Sequence, residues 1–357
     1  MLSGENVVRL YGGGSLEKRK TYGAIDGLRT IAAIGILMRH VATNVDYEIS
    51  GYIYDVIIPS LTNFVFLFMA ISAFGMCCGY YERIRNNQIS FDDFYSKRFK
   101  KILPFFATLV VLDIVMSPSL NSLYEAFADV TLLFGLLPNA GNISVIGVGW
   151  FIGLVFVFYL CFPFFCCLIK NKKCAWIAFA ISLIYNFVCA GYFEVGRNNI
   201  LYSGCYFIAG GLIYLYKDKL DNLAEKKATK WIALAIVALS VVVYFVLGGN
   251  TITLLLVSST LLIYAVIKRG GVLQNRVTHF ISGISMEIYL SHMVIFRVVE
   301  KLGLHGLIGN GWLQYIATVV MVLCGSIIFS VVMQRVIKFA EKTVSKIRTI
   351  YNSKTDI

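Results

Sequence analysis

Apolar runs about as long as a bilayer crossing follow one another along most of this chain, with short polar segments between them. The run at 102–117 is short for a full crossing, which predicts a tilted or broken element there. A further apolar stretch at 123–137 carries acidic residues and ends at Pro138, and we interpret it as an interfacial or re-entrant segment. The runs predict ten membrane-spanning helices, at residues 24–45, 56–80, 102–117, 145–169, 175–193, 199–216, 230–248, 251–267, 279–300 and 313–337. The predicted fold class is all-α, a polytopic integral membrane protein.

Composition excludes a soluble protein. Of the 357 residues, 58% are hydrophobic and only 15% are charged, and the mean hydropathy is +0.74. A soluble domain of this length could not cover so much apolar surface with so few charges. Membrane lipids are therefore the expected surroundings of the chain.

Basic residues lie in short clusters between the apolar runs, although the net charge of +12 alone would suit a nucleic-acid-binding protein. With the amino terminus inside, every cytoplasmic segment is basic, and the outer segments hold little positive charge beyond Arg197 and Lys301. This alternation follows the positive-inside rule. We therefore expect both termini to be cytoplasmic, and we expect no nucleic-acid partner.

No polar segment is long enough to form a separate soluble domain. We expect a cytoplasmic segment at 1–23, one transmembrane domain at 24–337 and a cytoplasmic tail at 338–357. The polar start of the chain lacks the short apolar core and small-residue cleavage site of a signal peptide.

The nine cysteines predict neither a disulfide framework nor a metal site. Eight of them lie in or at the ends of apolar runs, and Cys174 stands beside a lysine cluster. Buried cysteine commonly behaves as a small hydrophobe, and no spacing of cysteine with histidine is typical of metal ligands. We expect no metal and no permanently bound cofactor.

Arg29 and His40 are ionisable residues inside the first apolar run. Placing such a side chain in the bilayer costs free energy, and ionisable residues inside spans are commonly functional. Eleven helical steps of ~1.5 Å separate them by roughly 16 Å, with Arg29 nearer the cytoplasm. The alternative is that Arg29 snorkels to lipid phosphate and His40 is a satisfied structural histidine. The residues alone leave both interpretations open.

A series of sequence motifs begins in the same apolar run and continues along the chain. The segment Asp26-Gly27-Leu28-Arg29, followed by His40, resembles the opening of the acyltransferase-3 family of membrane acyltransferases, in which Arg or Lys, ten residues and His lie in the first span. The resemblance continues in order along the chain, with Ala73 in place of the family's usual glycine. The further segments are Phe66 to Phe74, the basic loop Phe94 to Pro104, Trp150 with Phe158-Tyr159-Leu160 and Pro163, and Ser285 to His292.

One departure from the family pattern concerns an acidic residue. Many members carry one or two acids in the span that begins here at Trp150, whereas this chain has Val155 and Phe156 at those places. If the acid is catalytic in some members, another residue replaces it here or the protein works without it. Glu287 and Asp113 are the candidates.

The resemblance implies an acyl donor on the cytoplasmic side, most simply acetyl-CoA, and a hydroxyl of a surface or secreted glycan, or of its lipid-linked precursor, as acceptor. It also places the protein in the plasma or inner membrane of a cell. CoA carries several phosphates, which suit the guanidinium fork of arginine. The candidate donor-binding residues are Arg29, Lys97, Arg98, Lys100 and Lys101. For the lysine-rich loop, topology marking alone is the competing interpretation.

The same resemblance gives His40 the role of general base, because imidazole holds either protonation state near neutral pH. An acyl-histidine intermediate is the second route. His292 is expected to orient His40 or the acceptor, with a structural role as its alternative. Tyr289, on the same helical face as His292, is a candidate donor to the developing oxyanion.

Two other functions suit the pattern. A transporter or flippase of a lipid-linked sugar would also have many spans and buried charges, but we find no matched interrupted helices. A sensor or assembly factor that keeps the fold without catalysis would explain the missing acid.

Overall fold

The computed structural model describes residues 22–116, 118–137 and 149–355. These ranges are helical, with short connections and no strand among the described residues. The all-α prediction is therefore confirmed. Residues 1–21, and residues 145–148 of the fourth predicted span, lie outside the described residues.

The helices are named here in chain order. They are α1 (Ala24–Asn44), α2 (Ile53–Arg85), α3 (Phe91–Met116), α4 (Leu120–Thr131), α5 (Trp150–Leu168), α6 (Lys172–Gly191), α7 (Ile200–Leu215), α8 (Lys217–Leu223), α9 (Lys227–Leu247), α10 (Thr251–Lys268), α11 (Arg276–Gly283), α12 (Ser285–Lys301) and α13 (Trp312–Thr355). Helix α2 includes π-helical turns at Ile53–Ile57 and Cys77–Tyr81. Single 3₁₀ turns lie at Leu133–Leu136, Gly271–Leu273 and Leu304–Gly306.

Six of the described helices are long and apolar enough to cross a membrane: α2, α5, α6, α9, α10 and the Trp312–Val344 part of α13. Helix α7 is equally apolar but shorter. The chain is thus a multi-pass membrane protein. The total of ten crossings stays a prediction.

Two predicted spans differ from the observed helices. The run at 279–300 is divided between α11 and α12, which meet at Ile284. Ser285 donates its hydroxyl to the carbonyl of Ser282 at 2.9 Å, and serine–glycine sequences of this kind commonly bend helices. The short run at 102–117 belongs to α3, which begins at Phe91 and carries Pro104 in its interior. The polar first part of α3 supplies the length that the apolar run lacks.

Hydrogen bonds between distant segments define the two ends of the bundle. At one, the Tyr22 end, the Tyr22 hydroxyl donates to Asp221 at 3.1 Å, and Arg269 forms an ion pair with the same carboxylate. Burial and the Asp221 charge raise the pKa of Tyr22. At the other, the Tyr47 end, the Tyr315 hydroxyl donates to the carbonyl of Met38 at 3.0 Å. Helix α1 runs from the first end to the second.

Helix α1 lies inside the bundle, in contact with α2, α10, α11, α12 and α13. Beside it, α2 and α7 approach so closely that a Cβ added to Gly210 would lie 2.1 Å from the carbonyl oxygen of Ala70. Phe66 and Tyr206 stack across the same interface at 4.3 Å. The close packing of α2 and α7 holds in place the helices that surround Arg29 and His40 of α1.

Candidate functional site

Arg29 and His40 project from the same face of α1. Eleven residues make just over three helical turns, so the two side chains differ by only about 20° around the helix axis. Between them, α1 buries Ile36 and Leu37, each with 1% of its surface exposed. The spacing of these two residues therefore places a cation and an imidazole on one face of this helix, roughly 16 Å apart along α1.

His40 lies beside His292 of α12, with 5.1 Å between the ring centroids. His292 is 1% exposed, and its Nδ1 is 2.7 Å from the carbonyl oxygen of Tyr289. Because a carbonyl oxygen can only accept, Nδ1 carries the proton and Nε2 presents a lone pair. This Nε2 is buried and has no hydrogen-bond partner among the described residues. We call His40 and His292 the histidine pair.

Aromatic side chains form one wall of the histidine pair. Tyr289 contacts the His292 ring, with 6.0 Å between centroids, and Phe151 packs edge-on against Tyr289 at 5.3 Å. Tyr289 is itself buried, with 4% of its surface exposed. Its contribution visible in the structure is the backbone carbonyl that orients His292.

Arg197 was not among the residues singled out from the sequence, yet it belongs to this site. Its guanidinium lies over the Trp150 ring, 5.2 Å from the centroid, and Trp150 packs against Phe151. Ring contacts from Trp150 through Phe151 and Tyr289 connect Arg197 with the His292 ring. From the sequence Arg197 was only a charge in an outer loop.

A second group of charged residues surrounds Arg29 nearer the Tyr22 end. Arg29 lies deep among the helices but remains partly accessible. Arg98 and Lys101 of α3 lie close enough that Lys101 senses the charge of both arginines. We call Arg29, Arg98 and Lys101 the basic cluster. It groups residues that the sequence predicted for donor binding.

Aromatic hydroxyls and ring faces hold Arg98 in place. Its Nη2 donates to the Tyr80 hydroxyl at 2.6 Å, and its guanidinium lies 4.7 Å from the Tyr80 centroid and 5.7 Å from that of Tyr159. The buried Nε of Arg98 has no partner among the described residues. Gly75 of α2 leaves room nearby, since a Cβ there would lie 3.4 Å from Arg29 Nη2. Lys97, Lys100 and Lys101, on the same helix as Arg98, are all exposed.

Neither candidate acid is seen beside the histidine pair. Gln334 donates to Glu287 Oε1 at 2.7 Å, and Glu287 interacts electrostatically with Lys101, so it belongs with the basic cluster. Asp113 interacts instead with Arg297. The places of the family's acids are filled by buried apolar side chains, with Phe156 packed on Phe99 at 4.8 Å.

The described residues contain no group of three His, Cys, Asp or Glu side chains arranged to hold a metal ion. No disulfide joins cysteines within the described residues. Cys77, Cys166 and Cys205 are buried, consistent with packing roles.

The comparison with protein families agrees with this geometry. The model of the acyltransferase-3 family, described as an acyltransferase domain, matches residues 22–331. No curated protein and no solved structure matches the chain significantly. The match covers both the basic cluster and the histidine pair.

Proposed function

The chain belongs to the acyltransferase-3 family of membrane O-acyltransferases, and we propose that it moves an acyl group, most simply acetyl, from cytoplasmic acyl-CoA to a hydroxyl of a cell-surface or secreted glycan or of its lipid-linked precursor. One observation carries this proposal. Arg29 of the basic cluster and His40 of the histidine pair lie on the same face of one interior helix, roughly 16 Å apart. That arrangement provides an anion site and a base along one helix face.

The basic cluster is the proposed site for the phosphates of the donor. Three cations converge there, and the unpartnered Nε of Arg98 is available to donate to an anion. A charge-assisted hydrogen bond of this kind is about twice as strong as a neutral one. The flexible pantetheine arm of acyl-CoA would then extend along α1 and bring the thioester to His40.

His40 is the proposed general base. The acceptor hydroxyl gives its proton to His40 while its oxygen attacks the thioester carbonyl carbon. The tetrahedral intermediate collapses as the C–S bond breaks, and the His40 imidazolium returns the proton to sulfur, so the products are the ester and free CoA. The Tyr289 hydroxyl is the proposed donor to the oxyanion. An acyl-His40 intermediate is the alternative route.

His292 is the proposed positioning residue for His40. While its Nδ1 is bonded to the Tyr289 carbonyl, its Nε2 can only accept. If the His40 ring turns to donate its N–H to Nε2 of His292, the other ring nitrogen of His40 carries the lone pair that accepts the proton of the acceptor hydroxyl. A neutral histidine would thereby fill the orienting role that a carboxylate has in many catalytic dyads.

The proposed orientation places the Tyr22 end and both termini in the cytoplasm, with the histidine pair toward the outer side of a plasma or inner membrane. The alternation of charge along the chain supports it. Within the chain, we retain the segment at 1–23, the transmembrane domain at 24–337 and the tail at 338–357, although α13 continues without a break to Thr355. A reporter fused after Lys219 should be cytoplasmic, and one fused after Gly196 should be external.

A transporter without acyl transfer is the competing function, and the family assignment favours the enzyme. The decisive experiment uses purified protein in liposomes with acetyl-CoA and candidate glycans, and measures CoA release and acylation of the glycan. We expect His40→Ala to reduce transfer by roughly 10²- to 10⁴-fold, the usual contribution of a general base. Arg29→Ala should also abolish transfer at low donor concentration.

His305→Ala is the matched control, because His305 lies in a separate turn after α12. It should transfer acyl groups normally, and all three variants should reach the membrane in equal amounts. Normal acylation by His40→Ala would exclude the proposed base.

A further inference from the structure

Arg197 is held at Trp150, at the end of the aromatic wall that reaches the histidine pair, and none of its contacts with the described residues is an ion pair. Its guanidinium lies over the face of Trp150, and the Ser203 hydroxyl donates to its backbone carbonyl at 2.8 Å. The side chain is exposed. A cation–π contact orients a guanidinium while leaving its N–H edges available to a ligand.

A second arginine, Arg39, directly precedes His40 on α1 and is partly exposed. Within the described parts of the chain, no carboxylate lies within ion-pair distance of Arg39 or Arg197. Asp55, at the same end of the bundle, accepts instead from the backbone N–H of Gly51 at 2.8 Å.

The contacts of Arg197 leave its guanidinium without a negatively charged partner among the described residues, and the guanidinium lies on the aromatic wall that reaches the histidine pair. An arginine without a carboxylate partner next to a reaction site is suited to bind an anionic group of a ligand. The geometry therefore favours an acceptor that carries a negative charge.

We propose that Arg197, with Arg39, binds an anionic group of the acceptor, a carboxylate or a phosphate, next to the hydroxyl that is acylated. The inference rests on the proposed function and specifies the acceptor as an acidic sugar or a sugar phosphate. Arginine offers two parallel N–H donors that match both groups. A neutral glycan would leave the two guanidiniums unpaired.

The test measures binding without turnover. Purified protein in detergent is titrated with methyl β-D-glucuronide, glucose 1-phosphate and methyl β-D-glucoside, which share a pyranose ring but differ in charge. We expect at least one anionic sugar to bind about tenfold more tightly than the neutral one, as a charge-assisted contact implies. Preference for the glucuronide would identify a carboxylate acceptor, and preference for glucose 1-phosphate a phosphate acceptor.

Substitutions at Arg197 test whether this residue causes the preference for anionic sugars. Arg197→Gln should remove the preference for the anionic sugar, and Arg197→Lys should retain part of it because the charge remains without the fork. Arg297→Gln is the matched control, since Arg297 is an exposed arginine of α12 that interacts with Asp113. It should bind all three sugars as the unmodified protein does.

Equal binding of neutral and anionic sugars by the unmodified protein would overturn the inference, and so would a preference that survives in Arg197→Gln. The His40→Ala variant should keep the preference, because the base is not needed for binding. A failure of the proposed base and a failure of the anion site are thus distinguishable.

Discussion

Arg29 of the basic cluster and His40 of the histidine pair lie on one face of α1, yet the residues around them are held in different ways. Arg98 is held by the Tyr80 hydroxyl and ring, and its Nε remains unpartnered among the described residues. His292 is held by a backbone carbonyl, with 1% of its surface exposed. The first arrangement keeps charge available for a ligand. The second fixes the tautomer and direction of a ring.

Because of this difference, variants of the two regions should show different kinetic defects. Loss of a cluster residue should weaken binding of the donor, because each cation acts as an independent contact. Loss of a pair residue should slow the chemical step, because a base works only in a defined geometry. Kinetic constants for donor and acceptor can therefore test each region separately.

The largest expected effect comes from the histidine pair. His40→Ala and His292→Ala should each lower kcat, the first by roughly 10²- to 10⁴-fold. If the two act as a unit, the double variant should lose no more than the worse single variant. Steady-state kinetics with saturating acetyl-CoA measures all three.

A conservative substitution distinguishes a role of His292 in positioning His40 from a role in packing alone. His292→Gln places an amide oxygen near the position of Nε2 and should recover part of the activity lost in His292→Ala. Losses that multiply in the double variant, or no recovery with glutamine, would mean that His292 does not act through His40.

A smaller effect is expected at the basic cluster. Arg98→Gln and Lys101→Gln should each raise the KM for acetyl-CoA by about tenfold and change kcat little, the size expected for one charged hydrogen bond. Acetyl-pantetheine lacks the nucleotide phosphates, so its KM should not change in either variant. Lys173→Gln, at an exposed lysine of the same end, is the matched control. Equal effects on both donors would place these cations elsewhere than at the phosphates.

Much of the fold follows from the apolar pattern because each bilayer crossing needs a long uncharged run. The break at Ile284 did not, because Ser282 and Gly283 allow a bend without requiring one. Beside the break, the Ser282 hydroxyl donates to Asp26 of α1 at 2.7 Å. Such a contact links residues far apart in sequence. Periodicity within one run cannot show it.

The candidate site could be predicted where its residues share a helix. Arg29 and His40 are related by helical spacing alone, and the basic cluster joins residues that the sequence already grouped by charge. The sequence did not predict Arg197 as a site residue, because Arg197 is connected with His40 through contacts of Trp150 and Phe151 on another helix. A tryptophan at the start of a span, with an arginine in a short outer loop, is the only signal in the sequence.

The smallest expected effect decides which region Glu287 serves. Glu287→Gln removes one negative charge from beside Lys101 but keeps an oxygen that can accept from Gln334. A partly accessible charge contact contributes about 0.5–1 kcal/mol, so the KM for acetyl-CoA should fall by roughly two- to fivefold with kcat unchanged. Asp113→Asn, whose carboxylate interacts with Arg297, should leave this KM as it is. A fall in kcat of roughly 100-fold or more in Glu287→Gln would instead make Glu287 the acid partner of the histidine pair. Whether KM or kcat changes therefore separates a carboxylate that moderates donor binding from one that takes part in proton transfer.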